Sequence, residues 1–497
     1  MRCTPIGLAM LNDERPHVYK ENNAQNKAVL QAWADLISEN VVNLDGTKPR
    51  VVVAPQIITS VRKAQKMGEK LARAGCKQII MCYNVWNFPF FAWPFVNSIG
   101  RVPILSLSNN NGEFPGNVGL LATDGALRQA GLRTHRIVGN LDDKETKQKV
   151  FDWVRASQAA TTVKNEVYGL YGGHSMGMET GYFHLTPTLK SLGTTLYQID
   201  QYLLVKEAEA VGQKEVDKAL AWFDKLLGKR ILWDDKMLTK ETLSRQIRLY
   251  IAMRKLNEEF GFDLCGLKGQ RELTENYCLG DVPEMVMNDP YDWNGPKEST
   301  VCATEADSNA ALTMQLLKYI TGGLPILFMD VRLYLPEMDV WDWCNSGNHA
   351  SFYAAQSFDP EVNFKRIRFH PALEFYFKAG GASVEFDAKP GPMTFARLGI
   401  WDGKPFMAIV AGESAKLSAA QRKEINEQTN PTWPHVHAKL GCSFEEFLSV
   451  FPCNHVQGAP GDLVQPLVYL CEMTGITPVV LGDEGARRIP PIWERVR

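Results

Sequence analysis

The chain has 497 residues, of which 45% are hydrophobic and 22% charged, and its formal net charge is −2. This composition predicts a folded protein of two or three domains, and it gives no basic surface for nucleic acid or an anionic membrane. The first residues lack the pattern of a signal peptide, and no apolar run reaches the roughly 20 residues of a membrane span. The ten cysteines form no CxxC pair, which indicates reduced, mostly core-filling thiols in a cytoplasmic protein.

Strand and helix patterns alternate in the first third of the chain. Short apolar or β-branched runs at 51–54, 78–81 and 102–106 predict strands, and residues 60–74 have helical spacing. Strands separated by helices are typical of βαβ units and a mostly parallel sheet. We therefore expect a doubly wound α/β domain over residues 1–163.

A second doubly wound α/β domain is expected over residues 164–335. Its first strand, 166–171, leads into GGHSMGMETG, which has neither dinucleotide-binding nor P-loop spacing. This segment is interpreted as a substrate-facing loop or, equally, as a plain tight turn. Helices are predicted at about 205–227, 240–260 and 307–320.

Beyond residue 335 the pattern changes to short strands separated by Gly-Pro and Asp-Gly turns. The predicted strands are 364–369, 382–386, 393–398 and 405–410. This pattern favours a third, C-terminal domain over residues 336–497 that is antiparallel, β-rich and barrel-like. The fold class expected for the whole chain is α/β.

Two acids and two histidines could form a metal site. Glu305 stands near the start of the helix predicted at 307–320, and Asp330 follows the apolar run 324–329. An acid at the carboxyl end of a strand, facing another at a helix start, is how open α/β sheets build polar sites. His349 and His455 lie in polar, turn-like segments and could complete the site. Two carboxylates with imidazole suit Mn²⁺, Mg²⁺ or Co²⁺ better than a structural zinc.

The same residues also have structural interpretations. Glu305 could be a solvated acid favoured by the helix dipole, and Asp330 could form an ion pair with Arg332. His349 could support the ligands from behind or bind a sugar.

Two further patterns are interpreted as structural. His435 and His437 alternate as on a strand, which favours surface or structural roles over metal binding. The aromatic segment 83–95 is more typical of interface packing than of a sugar platform, although Trp86 could do both.

Several segments resemble the L-fucose isomerase family. KGQRELTENY, DWNG, ATEADS, DVRLY and NSG occur in the order found in that family, with SMGM and FARL…GKPFMAIVAGE as weaker matches. The resemblance covers nearly the whole chain, whose length is closer to that of the L-arabinose isomerases, which are similar in fold. It implies a metal-dependent aldose–ketose isomerase. The donor set makes Mn²⁺ the first candidate ion, and the chemistry needs no organic cofactor. The resemblance also implies a homo-oligomer, either a trimer or a hexamer.

The resemblance implies roles for individual residues. Glu305 and Asp330 match the two carboxylates that serve as metal ligands and acid/base groups, and His455 matches the third ligand. His349 stands where L-fucose isomerases have a small residue, and it looks more like the fourth ligand of L-arabinose isomerases. Sugar contacts are implied for Gln270, Trp86, Arg15 and Asn454.

Isomerisation chemistry accounts for such a ligand set. A divalent ion that chelates O1 and O2 of the sugar stabilises a cis-enediolate, and a carboxylate moves the proton between C2 and C1. The small-molecule substrate expected is L-fucose, D-arabinose, an L-arabinose-like aldose or the sulfonated sugar sulfoquinovose. Two alternatives remain open: an inactive sugar-binding or regulatory homologue, and a metal-dependent epimerase or hydro-lyase that uses the same intermediate.

Overall fold

The structure is a computed structural model that describes residues 3–43, 46–347 and 349–482. Contacts within the chain define two compact units. One runs to Thr162 and includes Gln465–Gly475, and the other covers Val163–Val464 and continues from Ile476. None of the described helices is long and apolar enough to cross a membrane.

A five-stranded parallel sheet forms the first unit, in the order β2-β1-β3-β4-β5. This is a strand order of doubly wound sheets, and every residue of β1 and β3 is buried. The predicted α/β class is therefore confirmed. The elements are β1 (Ile6–Leu11), α1 (Pro16–Asn40), β2 (Val51–Val53), α2 (Val61–Arg73), β3 (Gln78–Tyr83), α3 (Ala92–Ile99), β4 (Ile104–Ser108), α4 (Gly116–Gln129), β5 (Thr134–Val138) and α5 (Lys144–Thr162).

The sequence pattern does not predict α1, because asparagines replace apolar residues on its buried face. Asn22 and Asn26 are buried there. The Asn22 side-chain oxygen accepts hydrogen bonds from Asn12 at 2.7 Å and from Asn26 at 3.0 Å. Asn84 in turn donates to Asn26 at 2.8 Å. The amide groups of this network satisfy one another's hydrogen bonds, so they can be buried as apolar side chains are. The helix therefore has a buried face without the hydrophobic periodicity that would predict it.

The second unit begins with a four-stranded parallel sheet in the order β11-β8-β6-β7. Its elements are β6 (Val167–Tyr171), α6 (Leu185–Ser191), β7 (Thr195–Ile199), α7 (Gln201–Glu209), α8 (Gln213–Leu227), α9 (Lys240–Phe260), β8 (Leu264–Leu267), α10 (Glu272–Asn276), α11 (Asp281–Asn288), β9 (Tyr291–Asp292), β10 (Gly295–Pro296), β11 (Cys302–Ala303) and α12 (Ser308–Ile320).

The helix predictions for this region are right at 240–260 and wrong at 205–227. Helix α9 has the predicted bounds because Thr239 caps its start through Thr242, and Gly261 takes up a φ of 68° after its last residue. The segment 205–227 instead contains two helices, because α7 starts earlier, at the Asp200 cap, and α8 restarts after Gly212.

A nine-stranded sheet occupies the rest of the second unit, in the order β14-β15-β18-β13-β12-β19-β16-β17-β20. It is mixed rather than purely antiparallel, because the pairs β15–β18 and β17–β20 are parallel. Strand β17 also pairs with β18. The strands are β12 (Leu327–Leu335), β13 (Val340–Cys344), β14 (Arg368–Pro371), β15 (Ala382–Asp387), β16 (Gly391–Trp401), β17 (Lys404–Ser414), β18 (Pro434–Leu440), β19 (His455–Pro460) and β20 (Thr477–Leu481), with helices α13 (Pro360–Asn363), α14 (Ala419–Asn426) and α15 (Phe444–Val450). Helix α16 (Val464–Thr474) lies between β19 and β20 in the chain, and all but its first residue belongs to the first unit.

Two expectations for this sheet need correction. The strand predicted at 364–369 is wrong over its first half, where Phe364–Arg366 forms a 3₁₀ turn. Asp330 does not end a parallel strand. It lies inside β12, which pairs antiparallel with β13 and β19 and continues to Leu335. In this register Asp330 stands directly opposite His455, so their side chains share one face of the sheet.

Candidate active site

Glu305 is held in the turn that precedes α12. Both Glu305 and Ala306 have a positive φ, 54° and 53°. This left-handed conformation costs a residue with a Cβ about 1–3 kcal/mol. Two consecutive residues of this kind indicate that the surrounding fold fixes the direction of the Glu305 carboxylate.

Three side chains that are far apart in sequence converge at His455. Its Nε2 atom lies 3.2 Å from Glu305 Oε2 and 3.2 Å from Asp330 Oδ1. The imidazole is buried, whereas the two carboxylates are 19% and 21% exposed. One nitrogen and two carboxylate oxygens thus meet where solvent or a small molecule can reach the oxygens.

Asp307 fixes the orientation of the His455 ring. His455 Nδ1 lies 2.6 Å from Asp307 Oδ2, and this contact turns Nε2 toward the other two acids. Arg397 contacts the same carboxylate at 2.9 Å, and both side chains are 1% exposed. Asp307 also caps α12 by accepting a hydrogen bond from the Ala310 backbone at 2.9 Å. Strand β16, which carries Arg397, and α12 therefore support the ring together.

The charges of this cluster shift its pKa values strongly. Burial alone would lower the pKa of His455, but its hydrogen bond with Asp307 and the close carboxylates of Asp330 and Glu305 outweigh burial and hold the pKa well above its usual range. Burial would raise the pKa of Asp307, but the charges of Arg397 and His455 keep it far below the ordinary value. Asp307 is consequently an anion throughout the physiological range.

Two amides hold the Asp330 carboxylate. Asn345 donates to Asp330 Oδ2 at 2.8 Å, and Asn454 donates to Oδ1 at 3.0 Å. Burial would raise the pKa of Asp330, but His455, Arg332 and Asn345 outweigh it, and the pKa is lowered. The ionised carboxylate is thus fixed in position by its neighbours.

A cavity of about 220 Å³ opens in front of Glu305 and Asp330. Two buried acids form part of its wall. Burial raises the pKa of Asp281 to about 7. Burial and the neighbouring charge of Asp281 hold the pKa of Glu284 well above its ordinary value. The lining residues are Met176, Gly269, Gln270, Thr274, Leu279, Gly280, Asp281, Glu284, Thr304, Glu305, Asp330, Arg332, Asn345, Ser346, Tyr376, Phe377 and Trp433.

The predicted sugar-contacting residues fall into two groups. Gln270 lines the cavity, and Asn454 binds Asp330. Trp86 and Arg15 belong to the first unit. There Arg15 is paired with Asp13 at 2.6 Å, with 56% of its side chain exposed, and Trp86 packs edge-on against Phe88.

His349 is buried without a polar partner among the described residues. Neither ring nitrogen has a hydrogen bond there, and the ring lies edge-on to Phe386 at 6.3 Å. Burial lowers the pKa of His349 to about 3. Its neighbour Asn348 lies outside the described residues. The structure does not join His349 to the cluster around His455.

The residues that support the site were missed as site residues. Asp307 is visible in the sequence as an acid directly before a predicted helix, which is the pattern of a helix cap. Arg397 and Asn345 lie within the FARL and NSG segments quoted above. No spacing rule links them to His455, because strand pairing and helix packing bring them there.

Comparison with known proteins gives three consecutive matches to models of one family. They are the first N-terminal domain of L-fucose isomerase over residues 3–165, the second N-terminal domain over 166–322 and the C-terminal domain over 343–481.

Similar proteins include L-fucose isomerases of three bacteria. The protein of Bacteroides thetaiotaomicron is 27% identical, over 98% of this chain and 95% of the relative. That of Haemophilus influenzae strain Rd is 26% identical, over 98% and 94%. That of Vibrio vulnificus is 26% identical, over 86% and 84%.

The α/β architecture and these matches define the protein as an enzyme of the aldose–ketose isomerase class, an intramolecular oxidoreductase. Within that class, the chain belongs to the L-fucose isomerase family.

Proposed function

We propose that the protein is a metal-dependent isomerase of an open-chain aldose of the fucose or arabinose type, with L-fucose as the first candidate. The observation that carries this proposal is the convergence of Glu305, Asp330 and His455 at one end of a sugar-sized cavity. The relatives named L-fucose isomerase support the choice of first substrate.

The donor set fits a divalent cation. His455 Nε2 is buried and has no hydrogen-bond partner of good geometry among the described residues, yet it faces two carboxylate oxygens. Glu305, Asp330 and His455 would hold the ion, and two oxygens with one nitrogen suit Mn²⁺, with Mg²⁺ and Co²⁺ as further candidates. When bound, the ion would supply Lewis-acid stabilisation of negative charge on two adjacent sugar oxygens. No organic cofactor is required.

The two carboxylates would carry the proton transfers. Conversion of an aldose to a ketose moves the C2 proton to C1 and the O2 proton to O1, through a cis-enediolate. We assign the C2-to-C1 transfer to Glu305, because two amides already occupy the oxygens of Asp330. Asp330 would then serve the hydroxyl protons. Positioned acid/base groups of this kind contribute roughly 10²- to 10⁴-fold each.

The remaining predicted residues take positioning roles in this proposal. Gln270 and Asn454 would bind sugar hydroxyls at the cavity. Sugar contacts by Arg15 and Trp86 stay a prediction. His349 stays a proposed additional ligand. Its ring has no competing polar partner in the described part of the chain.

Arg332 favours a second candidate substrate, sulfoquinovose. It is the one cationic side chain among the described residues that line the cavity, and its guanidinium lies 4.8 Å from the centre of the Trp433 ring. A cation fixed over an aromatic face can pair with a sulfonate.

Turnover after metal removal tests the proposal. The chelated protein is supplied with Mn²⁺, Mg²⁺ or Co²⁺ and offered L-fucose, D-arabinose, L-arabinose and sulfoquinovose, with ketose formation measured. We expect ion-dependent ketose formation from one of these sugars. Epimer or dehydrated product would favour the epimerase or hydro-lyase alternative, and binding without any product would favour an inactive sugar-binding homologue.

Three features of the whole molecule belong to the same proposal. We propose three domains, 1–163, 164–335 and 336–497. A barrel that closes through the β17–β18 pairing would belong to the third domain and include β12 from the end of the second. We also propose a cytoplasmic location and a homo-oligomer, a trimer or a hexamer. Light scattering coupled to size-exclusion chromatography tests the oligomer.

A further inference from the structure

Four potential metal ligands lie side by side on two paired strands outside the proposed active site. Strand β13 carries Asp342 and Cys344, and strand β18 carries His435 and His437. The antiparallel register sets Asp342 opposite His437 and Cys344 opposite His435. Because residues two apart on a strand share a face, all four side chains point to the same side of the sheet.

The donor atoms of this group are close together. His435 Nδ1 lies 2.8 Å from Asp342 Oδ1, and His437 Nδ1 lies 3.3 Å from the same oxygen. Donor atoms of Asp342, Cys344 and His435 all lie within 4.8 Å of one another. Ligand bonds of about 2.0 to 2.3 Å place the donors of a tetrahedral site roughly 3 to 4 Å apart, so only small adjustments are needed to surround one ion.

Each imidazole has an acceptor behind it. His435 Nε2 lies 2.8 Å from the carbonyl oxygen of Asn430. His437 Nε2 lies 3.6 Å from Asp387, whose carboxylate is held by Arg422 at 2.8 Å. In metal sites a ligating histidine donates its outer N–H to a carbonyl or carboxylate, which fixes the tautomer and the ring orientation. Both rings here are arranged to present Nδ1 to an ion.

The group is closed to solvent. Asp342, Cys344 and His435 are 0% exposed and His437 is 4% exposed. The oxygen Asp342 Oδ2 and both nitrogens of His437 have no hydrogen bond of good geometry among the described residues. Cys344 packs in an apolar cluster with Met237, Leu279, Ala372, Phe377, Trp433 and Leu373. Unsatisfied polar atoms in such surroundings are costly, and an ion would satisfy them together.

We propose a closed structural site for one transition-metal ion of tetrahedral preference, Zn²⁺ or Co²⁺, whose four ligands are Asp342, Cys344, His435 and His437. One thiolate, two imidazoles and one carboxylate suit such an ion better than Mg²⁺ or Mn²⁺. Four protein ligands fill a tetrahedron, which leaves no position for a substrate. The ion would cross-link β13 to β18, whereas the proposed catalytic ion lies with Glu305, Asp330 and His455.

Cobalt spectroscopy distinguishes the two sites, because only the structural site contains a thiolate. The full-length protein is stripped of metal, reloaded with Co²⁺, and its near-ultraviolet spectrum and metal content are measured. We expect a thiolate-to-cobalt charge-transfer band and two ions per chain. Cys344→Ser should lose the band and bind one ion. The matched control Cys453→Ser should keep it, although Cys453 contacts the backbone of His455.

Three outcomes would overturn the proposal. These are wild-type protein that binds Co²⁺ without a thiolate band, Cys344→Ser that retains the band, and His437→Gln with unchanged band and metal content. If Cys344→Ser fails to fold, the wild-type spectrum and His437→Gln still decide. Glu305→Gln should keep the band, so failure of the proposed catalysis would leave this test intact. Any of the three would leave Asp342 and His435 as a metal-free ion pair.

Discussion

Neighbouring strand pairs of one sheet carry two clusters with similar ligands and different access. In the first cluster Asp330 on β12 faces His455 on β19, and in the second Asp342 on β13 faces His437 on β18. The carboxylate of Asp330 is 21% exposed, whereas that of Asp342 is 0% exposed. Both clusters thus place an acid opposite a histidine on antiparallel strands, and they differ in how far the acid is exposed.

The third side chain of each cluster explains much of this difference in exposure. Glu305 reaches the first cluster from a left-handed turn beside the cavity. Cys344 reaches the second from the same strand as Asp342 and packs among apolar side chains. The first cluster is therefore open to the cavity, while the second is enclosed. Variants in each cluster test whether the two clusters differ in this way.

The largest effect is expected from removal of a carboxylate at the open cluster. Glu305→Gln and Asp330→Asn should each lower kcat by about 10³-fold or more, because both a ligand and a proton-transfer group are lost. The thermal midpoint should change little, since both side chains are partly exposed. The exposed ion-pair variant Glu361→Gln is the control and should retain activity. Near-normal turnover in either carboxylate variant would contradict its proposed role.

A smaller effect is expected when the support of His455 is weakened. Asp307→Asn should lower affinity for Mn²⁺ by about 10- to 100-fold, because the neutral amide orients the imidazole less firmly. Asparagine is as good a helix cap as aspartate, so α12 should persist. Calorimetric titration with Mn²⁺ measures the affinity, and circular dichroism checks the helix. Unchanged affinity would show that Asp307 does not support metal binding through His455.

The sequence predicts parts of the fold and of the candidate site, but not the residues that support His455. Capping, periodicity and family resemblance predict helix α9, the parallel sheet of the first unit, and Glu305, Asp330 and His455 as candidate site residues. They do not predict the antiparallel pairing of the strand that carries Asp330. An apolar run that ends in an acid has the same sequence pattern in a parallel and in an antiparallel sheet. Helix α1 was missed because buried asparagines interrupt its pattern.

The enclosed cluster shows the same limit more clearly. His435 and His437 were expected to be surface or structural residues, and Cys344 core filler. The surface interpretation is wrong, because both histidines are buried. Only the register between β13 and β18 brings Asp342 and Cys344 to them, and spacing within one strand carries no information about its partner.

A moderate effect on stability should separate the enclosed cluster from the open one. Removing metal should lower the Tm of wild-type protein by several degrees, because an ion that binds only the folded chain stabilises it. Cys344→Ser should lose most of this shift, and Glu305→Gln should keep it. Scanning calorimetry of each protein with and without Zn²⁺ measures the difference. Equal shifts in wild type and Cys344→Ser would remove the distinction between the clusters.

The smallest effect concerns a buried acid that belongs to neither cluster. Burial raises the pKa of Glu166 to about 7, against the hydrogen bonds of Tyr319 and Gln315. The folded state therefore favours the protonated form of Glu166. The contribution of Glu166 to the free energy of unfolding is fully present below the ordinary pKa of 4.5, and it is lost as pH rises through about 7.

Glu166→Gln cannot ionise. Relative to wild type, its free energy of unfolding should therefore rise by about 1 to 3 kcal/mol between acidic and mildly alkaline pH. Urea unfolding across that range measures the change, and the exposed variant Glu361→Gln should follow wild type. Parallel curves for Glu166→Gln and wild type would contradict the raised pKa.

The central claim is that Glu305, Asp330 and His455 hold one divalent ion that allows a proton to move between adjacent sugar carbons. Conversion of L-fucose in D₂O, by chelated protein before and after addition of Mn²⁺, tests it most directly. The account predicts no ketose before addition and ketose afterwards, with deuterium at C1 in the fraction of turnovers in which the protonated Glu305 exchanges with D₂O before it delivers the proton. Equal rates of ketose formation with and without the ion would contradict it.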